Sequence, residues 1–161
     1  MGSIYVAFDG DNDKWAYGFM KGWKTNDRVD FDFKDAHELD SMTSRAQNEA
    51  YVKAALRERM KASDALVVIV GDKTKNLFKF VRWEIEFAIE LDLPIIVTNL
   101  NNTNGKDEAL CPPILRDHCA IHVPFKKNAI KFALEGFPSA YRTMSAAERA
   151  KGSRYYDRNW E

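Results

Sequence analysis

The segment Phe78-Lys79-Phe80-Val81-Arg82-Trp83-Glu84-Ile85-Glu86-Phe87-Ala88-Ile89 has the periodicity of a helix, and Leu93-Pro94-Ile95-Ile96-Val97-Thr98 behind it has that of a buried strand. Val81, Ile85, Ala88 and Ile89 recur at i, i+4, i+7 and i+8, the spacing of a stripe that faces a core. Phe80, Glu84, Phe87 and Leu91 follow the same spacing on the adjoining flank, which sets one carboxylate into apolar surroundings. Arg82 and Glu86 can pair across one turn. An ionised carboxylate is costly to bury. Glu84 therefore either keeps its head group in water at the edge of the stripe or has a functional reason to be there.

Working outward, strands and helices alternate. Ser3-Ile4-Tyr5-Val6-Ala7-Phe8 is a first strand stopped by Asp9-Gly10. Asp11, Asn12 or Asp13 can cap a helix in which Trp15, Phe19 and Trp23 recur at i, i+4 and i+8 as its apolar stripe. Val29, Phe31 and Phe33 alternate with Asp30 and Asp32, the pattern of an edge strand. Lys34 to Thr43 reads as a long loop, and Ser44 with Gln47 forms a capping box before a helix carrying Val52, Ala55, Leu56 and Met60. Ala65-Leu66-Val67-Val68-Ile69-Val70 is apolar on both faces and belongs inside a parallel sheet. Ala120 to Pro124 is a fifth, shorter strand with His122 structural or exposed, and residues 127–136 are a helix closed at Gly136. The pattern predicts an α/β fold of flavodoxin type: an open parallel five-stranded sheet in the order 2-1-3-4-5 with helices on both faces. Residues 1–138 form the domain, and residues 139–161 are a basic, aromatic extension packed on it.

Bulk properties exclude several classes. A chain of 161 residues suits one core. Lysine plus arginine equals aspartate plus glutamate at 24 each, so net charge gives no pull toward nucleic acid or an anionic membrane. No apolar run approaches a membrane span, no signal-peptide pattern opens the chain, and a cytoplasmic location is expected. Cys111 and Cys119 are too few for a disulfide framework, and no metal site is expected. Glycine-rich phosphate motifs and H-E-x-x-H are absent. His37, in the long loop, is the only histidine placed as a weak site candidate. In a sheet of this order ligands bind beyond the carboxyl ends of strands 1 and 3. Phe8 to Asp13, Lys34 to Thr43 and Asp72 to Asn76 meet there, with Glu84 in reach.

The organising helix carries a resemblance. Phe80-Val81-Arg82-Trp83-Glu84-Ile85, with Ala88 and Pro94-Ile95-Ile96 downstream, resembles the Trp-Cys-x-x-Glu-Leu signature of TIR domains. Phe80 and Val81 stand where the family has Trp and Cys, and Ala7 stands where many members have serine. Val6-Ala7-Phe8-Asp9 ahead of an aromatic-rich helix, and Phe31-Asp32-Phe33-Lys34-Asp35 in second place, resemble the TIR-like proteins of the bacterial Thoeris anti-phage system in particular. The resemblance covers residues 3–136. It implies cleavage of NAD+ between nicotinamide and ribose, with NAD+ as substrate and no cofactor. Glu84 would be the catalytic carboxylate, Phe8 and Trp83 an aromatic wall, and Asp9, Asp11 and Asp35 the contacts to ribose. The acidic loop Asp9 to Asp13 is unusual for a site approached by a diphosphate, which backbone N–H groups at a helix N-terminus would have to offset. The resemblance further implies a nucleotide product read by a partner effector and a homo-oligomer on activation. Capping and turn formation compete for Asp9 and Asp35, and core packing competes for Phe8 and Trp83. Three other readings stay open: a non-enzymatic TIR-like scaffold, a phosphoacceptor receiver domain using Asp9, Asp11, Asp72, Thr98 and Lys126, and a deoxyribosyltransferase-like N-glycosidase.

Overall fold

In the computed structural model, residues 3–26, 32–34, 49–77 and 81–160 are described. The chain is an α/β fold in which β1 (Ser3–Ala7), β2 (Asp32–Lys34), β3 (Ala65–Val70), β4 (Ile95–Asn99) and β5 (Ile121–Pro124) pair in parallel, in the spatial order β2-β1-β3-β4-β5. The helices are α1 (Lys14–Asn26), α2 (Glu49–Lys61), α3 (Val81–Glu90), α4 (Lys127–Thr143) and a short α5 (Ala146–Arg149). Ser44, Gln47, His37 and most of the Lys34–Thr43 loop lie outside the described residues. No described helix is long and apolar enough to cross a membrane.

Alternation along the strands divides the core in two. Ile4, Val6, Val67, Ile69, Ile96, Ile121 and Val123 point toward α1 and α4. Tyr5, Ala7, Leu66, Val68, Val70, Ile95 and Val97 point toward α2 and α3. The strands β3 and β4 are buried along their whole length, as a central parallel strand requires. Helix α3 ends in a Schellman motif. Leu93 N donates to Ala88 O at 2.9 Å and Asp92 N to Ile89 O at 3.0 Å, with Asp92 taking a left-handed φ of 56°. That turn feeds β4 directly.

Two expectations are corrected, and one is decided between its alternatives. The buried face of α1 is Ala16, Tyr17 and Met20, while Trp15 and Phe19 are 53% and 57% exposed. Both stripes have helical spacing, and the one that joins the core with Ile4, Val6 and Val67 is Ala16, Tyr17 and Met20. Helix α4 does not close at Gly136. It runs through Pro138 to Thr143 because Phe137 and Tyr141 continue its buried stripe, which outweighs the backbone bond that proline forfeits. Of the two readings of His122 the structural one holds, with neither ring nitrogen hydrogen-bonded. The side chain is fully buried, and burial pushes its pKa down to about 4, with Lys106 and His118 adding to the effect, so it is neutral.

The chain after α4 packs along the β5 edge. Arg154 forms a parallel bridge with Ile121, accepting from His122 N at 2.9 Å and donating to Ala120 O at 2.8 Å. Trp160 is buried against the α1/α4 layer, and Lys126 Nζ donates to its carbonyl at 3.1 Å. This covers an edge that would otherwise offer unpaired backbone groups. At the opposite end of the sheet Arg149 clamps α5 to Asp92 through two bonds of 3.0 and 2.9 Å, and Tyr141 donates to the same carboxylate at 2.8 Å. Burial alone would raise the Asp92 pKa, but the hydrogen bonds from Tyr141 and Arg149 outweigh it and the net shift is downward. The stabilisation is thus present above the ordinary aspartate range and fades as pH falls through the lowered value. Arg149→Met is expected to lower stability at neutral pH and to matter progressively less in acid, checked by urea unfolding across pH.

Candidate functional site

The carboxyl ends of β1 and β3 diverge at the point where the chain crosses over, the position at which such sheets hold ligands. Glu84 sits in the first turn of α3 over its described bounds, Val81–Glu90; residues 78–80 lie outside the described ones. Its carboxylate is only 2% exposed. The hydroxyl of Tyr5, on β1, donates to Glu84 Oε2 across the interface between sheet and helix. A helix N-terminus favours negative charge at that position. The acid is therefore fixed by a strand, a helix end and a phenol. It is not the water-exposed edge residue that was its competing reading.

Asp9 builds the loop that follows β1. Its Oδ1 accepts from Asp11 N at 3.0 Å and Asn12 N at 3.3 Å, and its Oδ2 accepts from Asn12 Nδ2 at 2.7 Å. This is the turn-forming role, and a ribose hydroxyl would have to compete with those three bonds. Asp11 holds its side chain in solvent. Asp35 lies outside the described residues. Phe8 stacks on Tyr17 at 5.0 Å in the α1/α4 layer. Trp83 packs in the other layer, stacked on Phe87 at 5.7 Å with Lys53 and Arg57 over its ring. The two rings thus lie in different layers, Phe8 with α1 and α4 and Trp83 with α2 and α3. One residue before Glu84, Trp83 is rotated about 100° around the helix, toward α2.

Sequence reasoning missed Tyr5, Asp13, Gly71 and Thr74. Asp13 precedes α1, yet its carboxylate turns toward Gly71 at the end of β3. It is 7% exposed, and its Oδ2 has no hydrogen-bond partner. A Cβ on Gly71 would come within 2.8 Å of Asp13 Cγ and closer still to Oδ2, so only glycine leaves room for this acid. Thr74 Oγ1 accepts from Gly71 N at 2.9 Å and closes the turn that follows β3. Burial raises the Asp13 pKa first, the charges of Asp9 and Asp72 raise it further, and the Thr74 hydroxyl lowers it in part. Because the folded value is raised, this site costs nothing at low pH, where Asp13 is neutral folded or unfolded. Stability is lost as pH rises through the raised value. Asp13→Asn is expected to gain about 1 kcal/mol at neutral pH, with the gain vanishing in acid, as thermal unfolding at a series of pH values would report.

Beside α3 an open cleft is lined by Thr74, Lys75, Val81, Arg82, Ile85 and Pro112. Lys75 Nζ donates to Ala109 O at 2.7 Å and Arg82 Nε to Glu86 at 2.8 Å, which holds both cations at the cleft rim.

Among solved structures, a 2-deoxyribosyltransferase from Bacillus psychrosaccharolyticus matches at 17% identity, covering 60% of this chain and 72% of that one, with a TM-score of 0.46. The flavoenzyme FerB, an NAD(P)H:(acceptor) oxidoreductase from Paracoccus denitrificans, matches at 15% identity over 64% of this chain and 63% of that one, with a TM-score of 0.44. Likeness at this level says nothing about substrate. The family comparison reaches further, because residues 5–105 hold β1 to β4, Tyr5, Asp13, Gly71 and Glu84 together. Over that span the chain matches the family of Thoeris protein ThsB, TIR-like domain, and it belongs to that family.

Proposed function

We propose that the chain cleaves the bond between nicotinamide and ribose in NAD+, with Glu84 as the catalytic carboxylate. Membership of the ThsB TIR-like family implies a role in Thoeris defence, and the product would be the signal passed to an effector. The observation that carries the reading is a buried carboxylate held by Tyr5 at the start of α3, beside the crevice. When the glycosidic bond breaks, its electron pair leaves with the nicotinamide nitrogen and positive charge develops on the ribose. A fixed carboxylate in a site of low polarity stabilises that oxocarbenium-like state, as in glycosidases. Attack by water, which loses a proton, gives ADP-ribose; attack by a hydroxyl or base nitrogen of the same molecule gives a cyclic isomer. Lys75 and Arg82 at the cleft rim supply the positive charge that the Asp9–Asp13 loop lacks for a diphosphate.

The test is incubation of the concentrated protein with NAD+ or with nucleosides, alone and with lysate of phage-infected cells, following free base and second product by mass spectrometry. Nicotinamide release from NAD+, with nucleosides untouched, supports the reading. The second product then separates hydrolysis from cyclisation. Release from nucleosides instead would favour a deoxyribosyl-type N-glycosidase, and no release under any condition would favour a scaffold. Sedimentation of the active sample tests the expected homo-oligomer.

A further inference from the structure

Asn104 is the only asparagine in the sequence that is followed by glycine. It sits where residues 154–160, a strap along the β5 edge, meet the loop after β4. Asn104 is exposed, yet both ends of its carboxamide are held by the strap. Its Nδ2 donates to Tyr156 O at 2.9 Å, and its Oδ1 accepts from Trp160 Nε1 at 3.4 Å. Gly105 is buried beside it with a left-handed φ of 104°, and its N–H donates to His122 O at 3.2 Å. A Cβ on Gly105 would stand 3.6 Å from Tyr155 Cβ, so the strap passes over this glycine in van der Waals contact. His122 N in turn donates to Arg154 O at 2.9 Å. One residue of β5 thus holds the strap and the Asn-Gly turn side by side.

We propose that Asn104 is a deamidation site gated by the strap, and that its conversion releases the strap. The Gly105 nitrogen, which no Cβ shields, attacks Asn104 Cγ. A C–N bond forms, the Cγ–Nδ2 bond breaks, and ammonia leaves with the proton from Gly105 N. Water then opens the resulting succinimide. Breaking the new bond gives aspartate; breaking the original peptide bond gives isoaspartate, with one more carbon in the main chain. In the closed state the carboxamide is bound to the strap and the Gly105 N–H to His122 O, so neither reactant is free. Opening of the strap frees the carboxamide and uncovers Gly105. Either product then sets a carboxylate against the Tyr156 carbonyl, acceptor against acceptor. The longer bond from Trp160 Nε1 can be kept but does not offset that repulsion. Release of the strap leaves backbone groups of β5 unpaired. The reaction needs only water and no residue of the crevice, so it stands without the NAD+ reading.

The purified protein is held at neutral and at mildly alkaline pH, and the tryptic peptide carrying Asn99, Asn101, Asn102 and Asn104 is followed by mass spectrometry. Electron-transfer fragmentation distinguishes aspartate from isoaspartate. Conversion is expected at Asn104 and not at the other three, and faster at the higher pH. Trp160→Phe keeps an aromatic ring in the core and removes one donor, so Asn104 should convert about 2- to 10-fold faster in it. Hydrogen exchange reads the release. In Asn104→Asp the backbone amides of His122 and Arg154 should exchange at least ~10-fold faster, while those of Val67 and Val68 in β3 stay as in the wild type. No conversion at Asn104, or conversion at its neighbours first, would overturn the site. An unchanged rate in Trp160→Phe would overturn the gating. Unchanged exchange in Asn104→Asp would overturn the release, and so would exchange that quickens equally in β3, since the whole domain would then be opening.

Discussion

Glu84→Gln is expected to lower nicotinamide release from NAD+ by at least about 10²–10³-fold, the scale set by removing one preorganised charge-stabilising group. The glutamine keeps the volume, and its carbonyl oxygen still accepts the Tyr5 hydroxyl, so the packing around α3 is unchanged. What it lacks is the negative charge that answers the oxocarbenium ion. Circular dichroism and melting temperature should therefore match the wild type while the rate collapses. Tyr5→Phe tests whether Tyr5 acts through that acid. It removes one hydrogen bond to a charged group, about 10- to 100-fold in rate. In the double variant with Glu84→Gln the two losses should not add, because a positioning residue has nothing left to position. Full activity in Glu84→Gln would leave an NAD+-cleaving enzyme with a different catalytic carboxylate.

The fold class was legible because the strands declare themselves in runs. Ala65–Val70 and Ile95–Thr98 are apolar on both faces, and only a covered parallel sheet accommodates two such strands between helices. Glu84 was legible because it breaks an apolar flank. Its partner was not. In a strand Tyr5 counts simply as a β-former, and 79 positions of sequence separate it from the acid that it touches. A buried phenol needs a partner, which is the only signal the sequence offered. Asp13 was hidden for a different reason: a helix cap explains an aspartate there, so nothing asked for more. For Trp15 and Phe19, spacing identifies a stripe without saying which way it faces. The face that joins Ile4 and Val6 in the core is that of Ala16, Tyr17 and Met20. Gly136 and Pro138 look like a helix end, but local stop signals yield when the next two turns carry Phe137 and Tyr141 into the core.

The second large effect is expected at Gly71. Gly71→Ala drives a methyl group into the carboxylate of Asp13, within 2.8 Å of Cγ, and the buried position of Asp13 opposes its displacement. Overpacking of this kind costs about 1–3 kcal/mol, or about 2–4 °C of melting temperature per kcal/mol for a chain of this size. Thermal and urea unfolding would read it. Asp13→Ala removes the obstacle, so Gly71→Ala should be nearly neutral in that background, giving a coupling energy close to the whole single-variant cost. A Gly71→Ala protein as stable as wild type would mean that the Asp13 carboxylate swings out freely and is not held against β3. The stable double variant then separates two reasons for glycine at the end of β3. If the position serves only to admit the Asp13 side chain, the double variant should behave like Asp13→Ala alone in the NAD+ assay. If the backbone at Gly71 must also be approached by a bound dinucleotide, the double variant should be stable and still bind NAD+ more weakly than Asp13→Ala. The comparison weighs a demand of the fold against one of the ligand at the junction of β1 and β3, where both bear on one residue.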